Sequence, residues 1–239
     1  MFFGSPFLDF GLMIFLAPAF LLAMAAQWMV KSAYNQMSQV GASSTGFQAA
    51  RRILDARGLY DVNIESVAGR LSDHYDPTSK VVRLSEENYY GNSMAAVGIA
   101  AHEVGHALQD AQRYAPLVVR NMAVPVANFG SGFGNIAMMA GLAMLFMGLA
   151  PLGKLVLLLG IICFAGVVAF QLVNLPVEFN ASSRAKRELV DLGIVSGSEI
   201  HYVSRVLNAA ALTYVAATLQ AVLTLLYYLW RFSQASRQE

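Results

Sequence analysis

Residues 96–110 read AVGIAAHEVGHALQD and place two histidines and a glutamate in a run that is otherwise small and largely apolar. On a helix, positions four apart project from nearly the same face, so His102 and His106 could bind one metal ion together. Imidazole nitrogens are common zinc ligands. Glu103 falls on the flank of the pair, where it could accept a proton from water rather than bind the metal. The spacing predicts a zinc-dependent hydrolase.

Long apolar segments surround this motif. The chain is 56% hydrophobic and 13% charged, whereas a soluble domain carries about 25% charged residues. A helix needs about 20 apolar residues to cross a bilayer. Four stretches without Asp, Glu, Lys or Arg meet that length: 10–30, 121–153, 155–177 and 206–230. We therefore predict a mainly α membrane protein with four transmembrane helices.

The basic residues predict the orientation of these helices. Thirteen of the 16 Lys and Arg lie between the first and second stretches or between the third and fourth. Because basic residues are enriched in cytoplasmic loops, both of these segments are expected in the cytoplasm. The net charge of +1 gives no reason to expect a nucleic acid partner. The implied division is a first span within 1–36, a cytoplasmic domain over 37–115, a membrane hairpin over 116–177, a cytoplasmic segment over 178–205, and a fourth span with the tail over 206–239.

Residues 37–115 have the patterns of a small α+β domain. An amphipathic helix is predicted over 43–57, ending at Gly58. A half-buried strand follows over 61–68, and then a hairpin with Asp76-Pro77 in the turn and residues 80–84 as the return strand. Asn92 and Ser93 can cap the helix that carries the two histidines. An edge strand such as 80–84 could pair with the backbone of a substrate.

A catalytic zinc site needs a third protein ligand and an open position for water. That ligand must lie on the same membrane side as His102, so an even number of spans must separate the two. Glu178 meets this condition just after the third span, and Ala181 and Ala185 on its helical face permit close packing. His74 and His201 lie on the same side and are the alternatives.

Two longer stretches resemble known families. HEVGH followed by Glu178-Phe179-Asn180-Ala181 resembles the H-E-x-x-H … E-x-x-A arrangement of HtpX-like and CAAX-prenyl-protease-like membrane metallopeptidases. AAHEVGHALQD, the LPVEF-x-AS segment and the four-span layout are similar to the small bacterial neutral zinc metallopeptidases of the YugP type. This resemblance implies a multi-pass protease of the bacterial cytoplasmic membrane, with an α+β gluzincin-like zinc domain between spans 1 and 2 and its active site on the cytoplasmic side.

The resemblance also implies roles for individual residues. His102, His106 and Glu178 would hold one Zn²⁺ per chain, and Glu103 would be the general base of peptide-bond hydrolysis. The chain departs from the gluzincin pattern at Ser182, where E-x-x-A-D enzymes carry Asp, and at Asn180, where Asp is also expected. Either side chain could still accept a hydrogen bond from a ligand imidazole.

A second electrophile should stabilise the oxyanion that forms during hydrolysis. His201, Tyr202 and Arg205 lie together near the start of the last helix and are the candidates. The expected partners are protein or peptide substrates, membrane proteins among them, and the lipid bilayer. Gly130-x-x-x-Gly134 allows close helix packing within one chain or between copies, so a homo-oligomer is possible.

Two other functions compete with this prediction. An intramembrane protease of the site-2 type would take an Asp ligand from an LDG motif within a later span, and the apolar stretches hold no such motif. A non-catalytic scaffold could use zinc only to stabilise its fold. Closed structural zinc sites favour four Cys or His ligands, however, and Glu103 would then have no function.

Overall fold

The computed structural model describes residues 10–237, which are mainly helical. The helices are α1 Phe10–Met37, α2 Gly46–Ala56, α3 Glu86–Tyr90, α4 Met94–Ala111, α5 Ala115–Phe129, α6 Asn135–Phe146, α7 Ala150–Asp191 and α8 Ile200–Ser236. A π-helical turn, Gly130–Gly134, joins α5 to α6. The strands are β1 Asn63–Val67, β2 His74–Asp76 and β3 Val81–Ser85.

Four helical segments in the described part of the chain are long and apolar enough to cross a membrane, as the sequence predicts. They are Gly11–Met37, Ala115–Phe146, Ala150–Asp191 and Ile200–Ser236. The sequence alone predicts one apolar stretch up to residue 153, whereas the second of these segments ends at Phe146. Gly148 adopts a left-handed φ of 80° between them, and Pro151 lies in the first turn of α7, a position that proline tolerates well.

The third segment is longer than predicted. The sequence suggests a new helix after Pro176, but α7 continues through Pro176 to Asp191 without interruption. A proline in a helix removes one backbone hydrogen bond. A helix of 42 residues keeps enough other backbone hydrogen bonds to tolerate this loss. The helix ends before Gly193, which has a φ of 62°.

Contacts divide the chain into two compact units. The first comprises Ala26–Val118 and Pro176–Thr213, and we call it the motif unit because it contains the H-E-x-x-H helix. The second, the apolar unit, comprises the described residues up to Ala25, then Val119–Leu175, and the described residues from Tyr214 onwards.

Small residues bring the helices of the apolar unit close together. A Cβ atom placed on Gly160 of α7 would lie 2.6 Å from the backbone nitrogen of Met138 on α6. Gly130 and Gly134 likewise face the backbone of α7. The predicted small-residue face therefore packs against α7 of the same chain.

The sheet of the motif unit has the strand order β1-β3-β2. The predicted hairpin is confirmed, since β2 pairs antiparallel with β3 around the Asp76 turn. Parallel pairing of β1 with the other side of β3 was not anticipated. It makes the prediction of an edge strand at residues 80–84 wrong, because β3 is central and both of its backbone edges are occupied. The edge strands of the sheet are β1 and β2.

The core of the motif unit lies between α2 and α4. Thr45 caps α2 through a capping box with Gln48, and the buried face of α2 includes Ile53 and Leu54. As predicted, Ser93 caps α4, its hydroxyl accepting a hydrogen bond from the backbone of Ala96. These caps fix where α4 begins and hence the face on which its histidines project.

Candidate metal centre

The histidines of α4 and Glu178 of α7 converge at one point of the motif unit. The Nε2 atom of His102 lies 3.3 Å from Oε2 of Glu178, and Nε2 of His106 lies 3.6 Å from the same oxygen. One potential ligand atom from each residue lies within 4.8 Å of the other two. Among residues 10–237 this is the single such group, so His74 and His201 stand outside it.

The environment of Glu178 fits a cation. Its side chain is buried, and Oε2 has no hydrogen-bond partner. A buried polar group without a hydrogen-bond partner costs about 1–3 kcal/mol of desolvation free energy, and a charged group costs more. A divalent ion between this oxygen and the two Nε2 atoms would satisfy it. Two imidazoles and one carboxylate are a donor set that suits zinc and leaves room for water.

Both imidazoles are held through their other nitrogen. Nδ1 of His102 lies 3.1 Å from Oγ of Ser182, one helical turn beyond Glu178. Nδ1 of His106 lies 3.0 Å from Oε1 of Gln109. These contacts leave the two Nε2 atoms to face Glu178, which is the orientation a metal site requires.

Only part of these hydrogen bonds to the two imidazoles follows from the sequence. Ser182 contacts a ligand imidazole, as expected for one of the two positions that depart from the gluzincin pattern. Asn180 does not contact an imidazole, and instead its Oδ1 lies 3.0 Å from Nε2 of Gln109. Sequence reasoning missed Gln109 altogether. The available signal was its spacing, since a polar residue three positions after His106 shares the face of the helix that carries that histidine.

Small residues allow the two ligand-bearing helices to approach. A Cβ atom on Gly105 would lie 2.6 Å from the backbone oxygen of Ala181. Ala181 and Ala185 are buried on the same face of α7, as the sequence predicts. The residue before His106 is therefore glycine for a steric reason, because a side chain at position 105 would clash with the backbone of α7.

Glu103 lies beside the group but is not one of its members. Its side chain is 8% exposed, and the structure shows no hydrogen bond or ion pair between its carboxylate and any other residue within 10–237. Burial raises the pKa of Glu103, and the charges of Glu178 and Asp73 act in the same direction, against the lowering effect of the two histidines. A carboxylate of raised pKa without a structural partner is suited to accept a proton.

The remaining predicted residues lie on the first turns of α8. Nδ1 of His201 lies 2.7 Å from the carbonyl oxygen of Ser198, and its ring contacts that of Tyr202. Arg205 donates to Gln36 of α1 over 3.3 Å. Within the described residues, no hydrogen bond joins His201, Tyr202 or Arg205 to the metal-ligand group.

Comparison with known proteins agrees with this chemistry. A family described as "Putative neutral zinc metallopeptidase" matches residues 12–233. A Bacillus subtilis (strain 168) protein named "Putative membrane protease YugP" is 52% identical over 225 residues, which cover 92% of this chain and 96% of that protein. No solved structure matches the chain. The match over nearly the whole chain confirms the resemblance seen in the sequence, and the chain belongs to this family of neutral zinc metallopeptidases.

Proposed function

We propose that the chain is a membrane-embedded zinc endopeptidase in which His102, His106 and Glu178 hold one Zn²⁺ and Glu103 is the general base. The observation that carries the proposal is the convergence of two Nε2 atoms on Oε2 of Glu178, a buried oxygen that has no hydrogen-bond partner. The family and the protease name of the B. subtilis relative support peptide-bond hydrolysis as the reaction class.

Different side chains of the motif unit bind the metal ion and transfer the proton during hydrolysis. Zinc held by the three ligands supplies a Lewis acid that polarises a peptide carbonyl and acidifies water. Glu103 accepts a proton from the attacking water as the new C–O bond forms. The same carboxyl then delivers that proton to the amine nitrogen as the C–N bond breaks. Burial of Glu103 supports both steps, because a raised pKa favours proton transfer near neutral pH.

We also propose where the reaction takes place. Four long apolar helices and the concentration of basic residues between spans 1 and 2 and between spans 3 and 4 support a multi-pass protein of the bacterial cytoplasmic membrane. The zinc domain, inserted largely between spans 1 and 2, then lies on the cytoplasmic side. Its substrates are proteins or peptides, including membrane proteins that reach the site from the bilayer.

The two competing functions have less support. A site-2-type protease needs an aspartate ligand within a span, whereas the third converging side chain here is Glu178. A zinc scaffold would give no role to Glu103, which lies beside the site, is 8% exposed and has a raised pKa.

The test is zinc per chain, by elemental analysis of the detergent-solubilised full chain, together with hydrolysis of fluorescein-labelled casein. We expect Glu178→Ala to lose zinc. Glu103→Gln should retain zinc and lose activity by about 10²–10⁴-fold, the contribution of general acid–base catalysis. Exposed Glu86 is the matched control, and Glu86→Gln should change neither quantity.

Two results would contradict the proposal. Unchanged zinc content in Glu178→Ala would remove the third ligand. Full activity of Glu103→Gln with zinc bound would remove the general base, and an inactive wild type with zinc bound would favour the scaffold.

A further inference from the structure

We propose that Gln109 is a positioning residue that sets the geometry of the zinc site by bridging the two ligand-bearing helices. The inference rests on the proposed zinc centre and assigns a role to a residue that does not touch the metal. Gln109 is fully buried at the end of α4, one turn beyond His106.

The amide of Gln109 forms hydrogen bonds through both its nitrogen and its oxygen. Nε2 donates to the carbonyl oxygen of Val177 over 2.8 Å and to Oδ1 of Asn180 over 3.0 Å. Oε1 lies 3.0 Å from Nδ1 of His106. An amide nitrogen carries two protons, and both have a partner here.

These bonds fix the direction in which His106 presents its ring. A backbone carbonyl can only accept, so the Nε2 end of the amide must face Val177, and Oε1 must then face His106. Because Oε1 is an acceptor, Nδ1 of His106 must donate to it. The lone pair of the neutral imidazole is then at Nε2, the atom that faces Glu178.

The same bonds fix the position of the carboxylate ligand. Val177 and Asn180 lie on either side of Glu178 along α7. By bonding to both, Gln109 fixes the position of this turn of α7, and therefore of Glu178, relative to His106. Nε of Arg184 donates to Oδ1 of Asn180 over 2.6 Å, which keeps this oxygen directed at Gln109. Gln109 therefore orients one ligand and sets the distance to another.

The bridge makes different demands on its two polar members. Gln109 must be an amide, since it donates twice and accepts once. Asn180 contributes only an acceptor oxygen to the bridge, so an aspartate there can replace it. A residue that acted only by filling space would show no such difference between donors and acceptors.

The experiment measures the zinc dissociation constant of the detergent-solubilised full chain by competition with a chromophoric chelator, and the absorption spectrum of the Co²⁺-substituted protein. We expect Gln109→Leu to weaken zinc binding by about 10–100-fold, the usual effect of losing a residue that supports a ligand. The Co²⁺ spectrum should change as well. Asn180→Leu should weaken binding, and Asn180→Asp should restore it. Gln39→Leu is the control, since Gln39 is exposed and no side-chain hydrogen bond joins it to Gln109, Asn180 or Arg184 within the described residues.

The outcomes separate this inference from the proposed function. Zinc binding by Gln109→Leu as tight as that of wild type, with the same Co²⁺ spectrum, overturns the positioning role. A lower thermal unfolding midpoint of the metal-free variant with an unchanged zinc dissociation constant does the same, because it shows packing alone. If Gln109→Leu does not fold, equal binding by Asn180→Leu and Asn180→Asp overturns the bridge. A wild type that binds no zinc overturns the proposed function itself, before any variant is compared.

Discussion

Gly105 of α4 lies directly against the backbone of Ala181 on α7, so closely that a Cβ atom would approach the Ala181 carbonyl oxygen to 2.6 Å. On α4 the contact point lies between His102 and His106, and on α7 it lies three residues after Glu178. Close approach of the two backbones at this point is what brings the imidazoles within reach of the carboxylate.

Gly105→Ala should therefore weaken zinc binding. A backbone carbonyl cannot move aside as a flexible side chain can, so the added methyl group must push the helices apart and lengthen the distances to Glu178. Alanine favours a helix by about 1 kcal/mol over glycine, which works against this loss. The zinc dissociation constant and the thermal unfolding midpoint measure the two effects separately.

Gly98→Ala is the control for helix propensity. Gly98 is also in α4, but its added Cβ would meet a side-chain methyl group of Val203 at 2.9 Å rather than backbone. We expect zinc binding close to that of wild type in this variant. Equal zinc affinities for the two alanine variants would contradict a special role for the Gly105 contact.

Ser182→Ala should weaken zinc binding by about tenfold, at the low end for a residue that supports a ligand. The hydroxyl of Ser182 is buried and lies 3.1 Å from Nδ1 of His102, so its loss frees that ring to rotate. Ser183 is the matched control, because its hydroxyl donates only to the Phe179 carbonyl on the exposed side of α7. Ser183→Ala should leave the zinc dissociation constant unchanged.

Ser182→Asp supplies the residue that the gluzincin pattern carries at this position. A carboxylate accepts a stronger hydrogen bond from the imidazole than a hydroxyl does, and we expect zinc to bind more tightly. Zinc binding weaker than that of Ser182→Ala would show that the pocket around His102 does not accommodate a charge.

The candidate metal ligands could be predicted from the sequence, whereas the residues that hydrogen-bond to them could be predicted only in part. Helical spacing pairs His102 with His106. The count of spans admits Glu178, His74 and His201, and the small residues Ala181 and Ala185 on the helical face of Glu178 favour that residue, so these candidates follow from local rules and chain order. The bridge through Gln109 depends on how two distant helices pack, and a single glutamine in a helix carries no specific pattern.

The sheet illustrates the same limit. A hairpin is local, and the turn residues around Asp76 were sufficient to predict it. Parallel pairing of β1 with β3 joins strands that no short turn connects, and nothing in the alternation of either strand selects its partner. The error about the edge strand arose from this missing pair, since it decides which strand is central.

The oxyanion-stabilising role predicted for His201, Tyr202 and Arg205 can be decided by kinetics. His201→Ala, Tyr202→Phe and Arg205→Ala are compared for kcat on labelled casein with zinc content held equal. Removing a donor to an oxyanion costs about 10²–10³-fold in kcat. A residue whose variant loses that much lies at the reacting carbonyl when substrate is bound. A variant with the kcat of wild type removes its residue from the active site.

The last prediction concerns the turn between β2 and β3. Asp76 accepts hydrogen bonds from the hydroxyl of Ser79 and the backbone of Thr78, and it pairs with Arg83 over 3.1 Å. These donors, the Ser79 hydroxyl first, hold the pKa of Asp76 well below its ordinary value of 3.8. All of these donors favour the charged carboxylate, and the stability of the hairpin therefore depends on pH.

The sign follows from the lowered pKa. A group whose pKa is lower in the folded state contributes stability above its unfolded pKa, and that contribution disappears as the pH falls through the folded value. Asp76→Asn should therefore lower the thermal unfolding midpoint at neutral pH, and the difference from wild type should shrink as the pH is lowered below 3.8. Ser79→Ala removes the strongest donor and so raises the folded pKa of Asp76 toward its unfolded value, and we expect its loss of stability on acidification to be smaller and to be complete at a higher pH than in wild type. A difference between wild type and Asp76→Asn that stays constant from neutral to acidic pH would show that the carboxylate charge does not stabilise the turn.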